Sequence, residues 1–439
     1  RQMCIRDRNN LTLIIPPSPI RDFPDRAGLP LGSVMLASMV REFADVTIID
    51  SYSKAFTPDK TVELAISANP DLVGISVPFS FSLEPAVEIA QKIRRENENV
   101  PIVMGGLEAS LSCDELLKSG VADFVSKGES EFSFSELAKK ILESGIDEAK
   151  NSPLDGIAFI DSGSVWHIAN RDLIPDLDIL PFPAYDFLPG FPDEYDARME
   201  CSRGCGFRCP FCASCGYWGN VFRGKSIGRI VDEISLLVNG WGIRQISFAD
   251  DTFNRDKNRA REIASAIEKS KLRINFGASC NPSILDKADL EIFAQSGMNS
   301  MFLGLESGSK RVLKSINKSH KPDRIIPLVE TAESLGIKVH ASFMIGLPDE
   351  TAEDIEKTLN FAEKLPASSL GFHIFHPLRG SEYGENPSKY GIEFVETIEK
   401  VGAIDTVAPI RTKHLSPMEI LDYYYRARGI ADKRLSGQR

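Results

Sequence analysis

The residues with the clearest capacity for chemistry are three closely spaced cysteines, Cys205, Cys209 and Cys212. They follow the pattern C-x3-C-x2-C, and thiolates so close along a chain can converge on one metal centre, as they do in iron–sulfur clusters. A structural zinc site normally closes with four ligands, which often come as two separated pairs. Here no separate C-x2-C pair follows downstream. The spacing therefore favours a cluster in which one iron lacks a protein ligand.

Two alternatives concern the same cysteines. Cys215 follows Cys212 at a further x2 spacing, so a loop of four thiolates around zinc or an iron–sulfur cluster is an alternative to three. A disulfide framework is disfavoured, because no secretory signal is recognised and the cysteines are not spread along the chain. We expect Cys201 and Cys215 to flank the site without binding the metal.

The segment CSRGCGFRCPFC, which begins at Cys201, resembles the cluster-binding loop of radical S-adenosylmethionine (SAM) enzymes. The likeness includes the aromatic Phe211 just before the last cysteine. The resemblance implies that Cys205, Cys209 and Cys212 are catalytic and hold three irons of a 4Fe–4S cluster. The fourth iron would take the amino and carboxylate groups of SAM.

The length and composition of the chain indicate how many domains it has and which classes of protein it resembles. A chain of 439 residues is too long for one ordinary core, so two or three domains are expected. The net charge of −11 argues against general nucleic-acid binding, and no run of about 18 apolar residues offers a membrane span. Eight cysteines without a secretory signal fit a reducing, cytoplasmic location. Residues 1–8 fit no later pattern and are interpreted as an expression or sequencing remnant.

Short apolar runs alternate with helical segments in the first third of the chain. The runs are interpreted as buried parallel strands and lie at 11–16, 46–50, 72–76, 100–104 and 124–126. This alternation predicts an α/β domain with a Rossmann-like, doubly wound parallel sheet, which we place at residues 9–148.

Loops rich in Gly, Ser and Pro follow these strands, at the edge where such sheets bind ligands. Ordinary tight connections are the alternative. The segments GGLEAS from Gly105 and KGESE from Lys127 resemble the cobalamin-binding (B12-binding) domain that precedes many radical SAM cores. That resemblance implies cobalamin contacts from six residues: Ser76, Gly105, Gly106, Glu108, Gly128 and Glu129.

This first domain departs from its relatives in two ways. It has no D-x-H-x-x-G motif, and Glu108 stands where relatives often carry histidine. Cobalamin would therefore bind base-off, without a histidine below the cobalt. Loss of cobalamin binding is the alternative.

The rest of the chain predicts a connector, a second α/β domain and a helical end. A linker with a hairpin is expected at 149–194, and six strand–helix units follow at 195–385, the first strand being Arg198–Cys201. Six units are too few for a closed eight-stranded barrel, whereas the radical SAM fold has a partial (β/α)6 barrel. Residues 386–439 are expected to form a small helical cover, with Ser416 capping a helix opened by Pro417.

Polar and flexible residues follow the strands of this second domain, at the end where barrels place their active sites. Asp250 and Asp251 could bind a metal, act as acid and base, accept from an ammonium group, or form a solvated turn. By resemblance to the family, one of them receives the amino group of SAM, and Glu306 with Ser307 lies beside the ribose. The Ile345–Gly346 backbone would contact adenine, and Ser279 would also face SAM. We interpret Asp349, Glu350 and Thr351 as a helix cap.

The resemblance implies reductive cleavage of SAM to a 5′-deoxyadenosyl radical and, with methylcobalamin, methylation of an unactivated carbon. A small-molecule, lipid or natural-product substrate and a reductant such as flavodoxin or ferredoxin are expected. Alternatives are a cobalamin radical SAM cyclase, oxidase or rearrangement enzyme, and a cobalamin or iron–sulfur sensor without turnover. A methylthiotransferase is disfavoured, because the first domain offers only Cys113 towards a second cluster.

Overall fold

The computed structural model describes residues 8–18, 27–395 and 408–437. These residues divide into two units. The first runs up to Pro175 and includes Ile179–Asp196, and the second comprises Asp176–Asp178 and the chain from Ala197 onward.

A seven-stranded sheet forms the centre of the first unit. Its strands are β1 (Asn9–Ile15), β2 (Ala44–Asp50), β3 (Leu72–Ser76), β4 (Ile102–Gly105), β5 (Phe124–Ser126), β6 (Ile157–Asp161) and β7 (Ser164–His167). The order is β2-β1-β3-β4-β5-β6-β7, and the first five strands are parallel. The order 2-1-3-4-5 is a doubly wound arrangement, in which ligands bind beyond the carboxyl ends of the strands.

Helices follow the parallel strands of this unit. They are α1 (Leu31–Val40), α2 (Pro58–Ser67), α3 (Leu83–Glu96), α4 (Leu107–Leu111), α5 (Cys113–Lys118) and α6 (Glu131–Asn151), the last interrupted at Gly145. Strand residues such as Leu11, Val73 and Ile102 are completely buried. Their strands carry apolar residues in unbroken runs because a parallel sheet is covered on both faces.

The hairpin predicted within the linker continues the sheet. β6 pairs antiparallel with β5, with Val125 opposite Ala158, and β7 pairs antiparallel with β6. The connector therefore adds two strands to the first unit.

Six parallel strands in chain order form the sheet of the second unit. They are β8 (Arg198–Met199), β9 (Gln245–Phe248), β10 (Asn275–Cys280), β11 (Met298–Glu306), β12 (Lys338–Ile345) and β13 (Ser369–Ile374). β8 is shorter than predicted, because the Cys201 N–H donates to the side chain of Asp250. This sequential parallel order is that of a partial (β/α)6 barrel.

Helices alternate with the strands of this unit, and several of them begin at side-chain caps that the sequence supplies. They are α7 (Ser214–Trp218), α8 (Ile227–Trp241), α9 (Lys257–Ser270), α10 (Lys287–Gln295), α11 (Lys310–Ser315), α12 (Pro322–Ser334), α13 (Ala352–Lys364), α14 (Glu382–Glu385) and α15 (Pro417–Gly437). Ser226 caps α8 by accepting from Arg229 N, and Asp256 caps α9 in the same way. Such caps satisfy N–H groups that the first turn leaves open.

Helix α15 contributes to the end of the second unit. Arg434 donates to the carbonyls of Ala367 and Glu363, both at 3.1 Å, near the end of α13. Near its other end, Ile420 packs against Gly346 after β12. Residues 396–407 of the predicted cover lie outside the described residues. The predicted fold class, two α/β units with a helical C-terminal region, is confirmed.

Candidate functional site

The start of the cysteine loop, directly after β8, is hydrogen-bonded to a buried carboxylate. Asp250 accepts from the backbone N–H of Cys201 at 2.7 Å and from the hydroxyl of Ser202. The Cys201 carbonyl in turn accepts from Lys225 N and from the guanidinium of Arg259, each at 2.9 Å. The loop that carries the cysteines therefore starts from a fixed point beside the end of β9.

Two glycines give the loop its path. Gly204 has φ +79°, and a Cβ there would collide with the carbonyl oxygen of Val221. Gly206 has φ +67° and lies against the guanidinium of Arg255, which stacks 4.7 Å from the ring centre of Phe207. Only glycine adopts such angles without steric cost, so these residue types shape the turn before Cys209.

The three candidate ligands differ in their readiness to bind a metal. Cys205 Sγ lies 3.0 Å from Thr252 Oγ1, and Cys212 N donates to Cys209 O at 3.1 Å. A hydrogen bond from the Cys215 thiol lowers the pKa of Cys212 to about 6, whereas burial raises the pKa of Cys209 to about 11. Because the thiolate is the ligand form of cysteine, the lowered pKa of Cys212 favours that form near pH 7.

Cys215 occupies a different position from the three candidates. Its Sγ lies 3.0 Å from the carbonyl oxygen of Phe207, and its thiol supports Cys212. A donor thiol that orients a neighbouring thiolate has the geometry of a supporting group. These contacts favour three ligands over four.

Asp250 and Asp251 follow the same strand but have different surroundings. Asp250 is buried, its oxygens are bonded to the cysteine loop, and burial raises its pKa to about 6. Asp251 is exposed, and its Oδ1 accepts from the Ser214 hydroxyl at 3.1 Å. Asp250 thus organises the loop, and Asp251 is the carboxylate that a ligand can reach.

Ser279, at the end of β10, lies beside the turn that follows the two aspartates. Its carbonyl accepts from Phe253 N at 2.8 Å. Asn254, which follows Phe253, and Asn281, two residues after Ser279, exchange hydrogen bonds of 2.7 and 3.1 Å. The ends of β9 and β10 are therefore joined, and partly buried Ser279 lies next to the candidate site.

A bulge in β11 presents Glu306. The register with β12 shifts between Gly304 and Glu306, and Glu306 has φ +62°, which is uncommon outside glycine. Bulges next to active sites commonly redirect a side chain. The Glu306 carboxylate is largely buried and pairs with Lys318 Nζ at 3.1 Å.

The next residues serve packing more than ligand contact. The Ser307 hydroxyl is buried and lies 3.0 Å from Thr358 Oγ1, and Ser309 N donates to it at 3.1 Å. A Cβ on Gly308 would lie 2.5 Å from Lys357 O, so this glycine allows α13 to approach. Ser307 is completely buried and its N–H donates to Leu305 O at 2.7 Å, so its hydroxyl and its N–H are both bonded within the protein.

Glu350 shapes the backbone after β12. Its Oε2 accepts from Gly346 N at 2.8 Å and from Leu347 N at 3.3 Å, and burial raises its pKa to about 8. Gly346 has φ +91°, as this turn requires. The predicted cap of α13 is confirmed at Thr351, whose hydroxyl accepts from Asp354 N, whereas Glu350 takes no part in it. Its carboxylate turns back to the strip that was predicted to contact adenine.

A cavity of about 580 Å³ opens beside the cysteine loop. Its walls include Cys209, Cys215, Arg208, Glu382 and Tyr390. A volume of this order accommodates a small organic molecule.

The candidate cobalamin residues lie at the carboxyl ends of β3, β4 and β5. Ser76 and Gly105 end their strands, and Gly106 has φ +110° with Val77 O only 2.7 Å from where a Cβ would be. Glu108 is buried in α4, where Ser112 Oγ donates to it at 3.1 Å. Close backbone approach at this edge fits a large ligand, as the doubly wound topology predicts.

The last two candidates follow β5. Gly128 has φ +69° and Glu129 is buried, with its Oε2 accepting from Ile174 N at 2.7 Å. Glu129 therefore anchors the segment after the hairpin. Both remain predicted contacts of cobalamin.

A second group of metal-type side chains lies in the first unit. Within the described ranges, the single set of three such ligand atoms within 4.8 Å of one another is Cys113, Asp114 and His167. Asp114 already pairs with Lys118 and with His167, each at 2.8 Å. We assign no metal to this group.

Two protein families match this chain, one within each of its two units. Residues 26–138 match the B12 binding domain, and residues 199–362 match the Radical SAM superfamily. An uncharacterised methyltransferase of Pyrococcus horikoshii is 33% identical over 422 residues, covering 93% of this chain and 89% of that protein. The chain belongs to the cobalamin-binding radical SAM family.

Two further similarities show the range of this family. The anaerobic magnesium-protoporphyrin IX monomethyl ester cyclase of Rubrivivax gelatinosus is 25% identical, covering 83% of this chain and 68% of the cyclase. The radical SAM methyltransferase TsrM of Kitasatospora setae has a TM-score of 0.72 at 16% identity, covering 95% of this chain and 85% of TsrM. That structure holds cobalamin and a [4Fe–4S] cluster, and at this identity it shows a shared fold.

Family membership confirms several expectations. The chain is a radical SAM enzyme, and its predicted cofactors, a 4Fe–4S cluster, SAM and cobalamin, are those of the family. The Pyrococcus horikoshii relative, which is named a methyltransferase, favours methyl transfer over cyclisation. None of the helices in the described residues has the length and apolarity needed to cross a membrane.

The sequence reasoning missed several supporting residues. Thr252, Asn317 and Lys318 contact Cys205, the cysteine loop and Glu306 respectively. Thr252 had a usable signal, because it directly follows the two aspartates. Asn317 and Lys318 follow a short helix without any motif, so only the fold brings them to the site.

Proposed function

We propose that this chain methylates an unactivated carbon of a small-molecule, lipid or natural-product substrate. The observation that carries the proposal is the convergence at the carboxyl end of one parallel sheet. The cysteine loop, Asp251, bulged Glu306 and the Gly346 strip all follow strands of that sheet. A chain that also carries a B12 binding domain combines this centre with a methyl carrier.

The residues present fit the cofactors. Cys205, Cys209 and Cys212 would hold the 4Fe–4S cluster, and the loops after β3, β4 and β5 would hold cobalamin. When bound, cluster and SAM supply a 5′-deoxyadenosyl radical, and cobalamin supplies the methyl group. The protein supplies position and exclusion of water, as is general for cofactor enzymes.

Three groups of SAM, the ammonium group, the ribose and adenine, would have matching partners in the chain. Exposed Asp251 would accept from the ammonium group, and Glu306 would accept from the vicinal ribose hydroxyls, for which a carboxylate is a natural partner. The backbone from Ile345 to Leu347, which Glu350 holds through Gly346 N and Leu347 N, would contact adenine. Partly buried Ser279 adds a polar contact beside Asp251.

In this proposal the first unit would hold cobalamin without a histidine from a D-x-H-x-x-G motif. The sequence has no D-x-H-x-x-G motif, and buried Glu108 takes the position of the common histidine. The enzyme works with a one-electron donor such as flavodoxin or ferredoxin in a reducing cytoplasm.

One experiment tests this function without knowledge of the substrate. The chain is purified anaerobically, reconstituted with iron, sulfide and hydroxocobalamin, and incubated with SAM and dithionite or reduced flavodoxin. We expect bound corrinoid, 5′-deoxyadenosine, and S-adenosylhomocysteine that forms only when cobalamin is present. Cys205→Ala should abolish 5′-deoxyadenosine.

The products separate the alternatives. A cyclase, oxidase or rearrangement enzyme would form 5′-deoxyadenosine but no cobalamin-dependent S-adenosylhomocysteine. A sensor would form neither product, although it carries both cofactors. Tetrahedral zinc in place of iron would refute the radical chemistry altogether.

A further inference from the structure

The turn after α11 holds two adjacent residues that reach different parts of the candidate site. Asn317 has φ +58°, a left-handed conformation that asparagine tolerates better than most residues. Its Nδ2 donates to the carbonyl of Arg208 at 2.7 Å, directly before Cys209. The turn is thereby fixed to the cysteine loop.

Lys318, the next residue, reaches the end of β11. Its Nζ lies 3.1 Å from Glu306 Oε1 and 3.1 Å from the Gly304 carbonyl oxygen. It also lies 6.0 Å from the ring centre of Phe211, next to Cys212. One ammonium group therefore contacts the ribose-type carboxylate and the aromatic residue of the cysteine loop.

The pair is enclosed. The Lys318 and Glu306 side chains are 15% and 10% exposed. Burial lowers the pKa of Lys318, but the negative charges of Glu306 and of the neighbouring cysteines raise it by more. The net shift of the Lys318 pKa is therefore upward. Burial lowers the pKa of nearby His320 to about 4, so that imidazole is neutral near pH 7. Lys318 thus supplies the positive charge at this point.

The backbone makes room for the pair. A Cβ on Gly304 would lie 2.5 Å from Glu306 Oε1 and 3.4 Å from Lys318 Nζ. The bulge that follows Gly304 turns Glu306 towards the lysine. The small residue Gly304, the bulge in β11 and the left-handed turn at Asn317 therefore all serve the ion pair between Glu306 and Lys318.

We propose that Lys318 is a positioning residue for SAM, an inference that rests on the proposed function. It holds Glu306 through Oε1, so that Oε2 accepts from the ribose hydroxyls. Its charge also offsets the negative charge that the cysteine thiolates bring to the site. Without Lys318 the buried carboxylate loses its partner, and a buried unpaired charge is strongly unfavourable.

The test uses the reconstituted holoenzyme and measures iron content, the Kd of SAM by equilibrium dialysis, and KM and kcat for 5′-deoxyadenosine. Lys318→Met should keep the iron, weaken SAM binding about tenfold or more, and change KM more than kcat. Lys318→Arg should recover most of the affinity, because the charge is kept. Lys310→Met is the control, since Lys310 pairs with Asp323 where both side chains are exposed.

A double-mutant cycle asks whether Lys318 acts through Glu306. Glu306→Gln should weaken SAM binding alone, and adding Lys318→Met should cost less than about threefold more, since coupled residues are not additive. Full multiplication of the two effects would overturn the inference. So would a Lys318→Met enzyme with wild-type affinity, or loss of iron from both Lys318 variants. If the wild type itself holds the cluster but binds no SAM, the proposed function fails and this inference with it.

Discussion

The backbone N–H of Cys201 donates to Oδ1 of Asp250 at 2.7 Å. Through this bond a buried carboxylate at the end of β9 fixes where the cysteine loop begins. Asp251, one residue later, is exposed, and its Oδ1 accepts from the hydroxyl of Ser214, which follows the last cysteine of the loop. The carboxylates of Asp250 and Asp251 therefore have different roles, and substituting each residue in turn should distinguish these roles.

We predict that Asp250→Ala destabilises the fold by about 1–3 kcal/mol, because it leaves the buried Cys201 N–H without an acceptor. Asp251→Ala should change stability by less than about 0.5 kcal/mol, as is usual for exposed sites. Anaerobic urea unfolding of the two variants measures this difference.

SAM binding gives the complementary readout. Asp251→Ala should raise the KM for SAM while its iron content stays at the wild-type value. If Asp251→Ala binds SAM normally and Asp250→Ala folds normally, the division of duties is wrong.

The role of Cys215 gives a second prediction. Cys215→Ala should retain about the wild-type iron content, whereas alanine at Cys205, Cys209 or Cys212 should remove most of it. The reason is that the Cys215 thiol supports the Cys212 thiolate and contacts the Phe207 carbonyl. Iron analysis and the visible absorption of the reconstituted variants measure the outcome.

Alkylation of the protein before reconstitution tests the same contact in another way. In the wild type, Cys212 should react fastest among the loop cysteines near pH 7, because its pKa is lowered to about 6. Cys215→Ala should slow that reaction. If Cys215→Ala loses iron as completely as Cys212→Ala does, a loop with four thiolate ligands is favoured instead.

Glu350 predicts a pH dependence of stability. Its pKa is raised from an ordinary 4.5 to about 8 by burial, so between these values the folded chain binds a proton that the unfolded chain releases. Stability from this group therefore falls as pH rises from 4.5 to 8. Glu350→Gln should remove this cost, on the order of a few kcal/mol at the top of the range.

The measurement compares wild type and Glu350→Gln by urea unfolding at several pH values. The stability difference in favour of Gln should grow with pH, since glutamine still accepts from Gly346 N without carrying charge. A difference that is constant from pH 5.5 to 8 would contradict the raised pKa of about 8.

The sequence allowed prediction of both sheets because apolar runs and turn residues repeat with clear periods. It also located the cysteine loop and the polar strand ends, since these are local patterns. The roles of Lys318 and Glu350 could not be predicted from the sequence, for a physical reason. Their roles come from contacts across the fold, Lys318 with bulged Glu306 and Glu350 with the backbone of Gly346. No local pattern reveals a bulge or the direction of a buried side chain.

Gly346 gives a last prediction that separates backbone strain from crowding. Its φ is +91°, and an added Cβ would lie 3.1 Å from Ile420 of α15. Gly336 has a similar φ of +85° with no atom within 4 Å of the added Cβ. Gly336→Ala should therefore cost about 1–2 kcal/mol from strain alone. Gly346→Ala should cost about 1–3 kcal/mol more from overpacking against α15.

The same pair tests the predicted adenine contact. Gly346→Ala moves the strip that Glu350 holds, so the KM for SAM should rise at least several-fold. Gly336→Ala should leave that KM unchanged, because Gly336 lies after α12 and away from the strand ends at the site. Equal unfolding free energies for the two variants would show that Ile420 yields to the added methyl group. Equal KM values would remove Gly346 from the SAM site, whatever the stability difference.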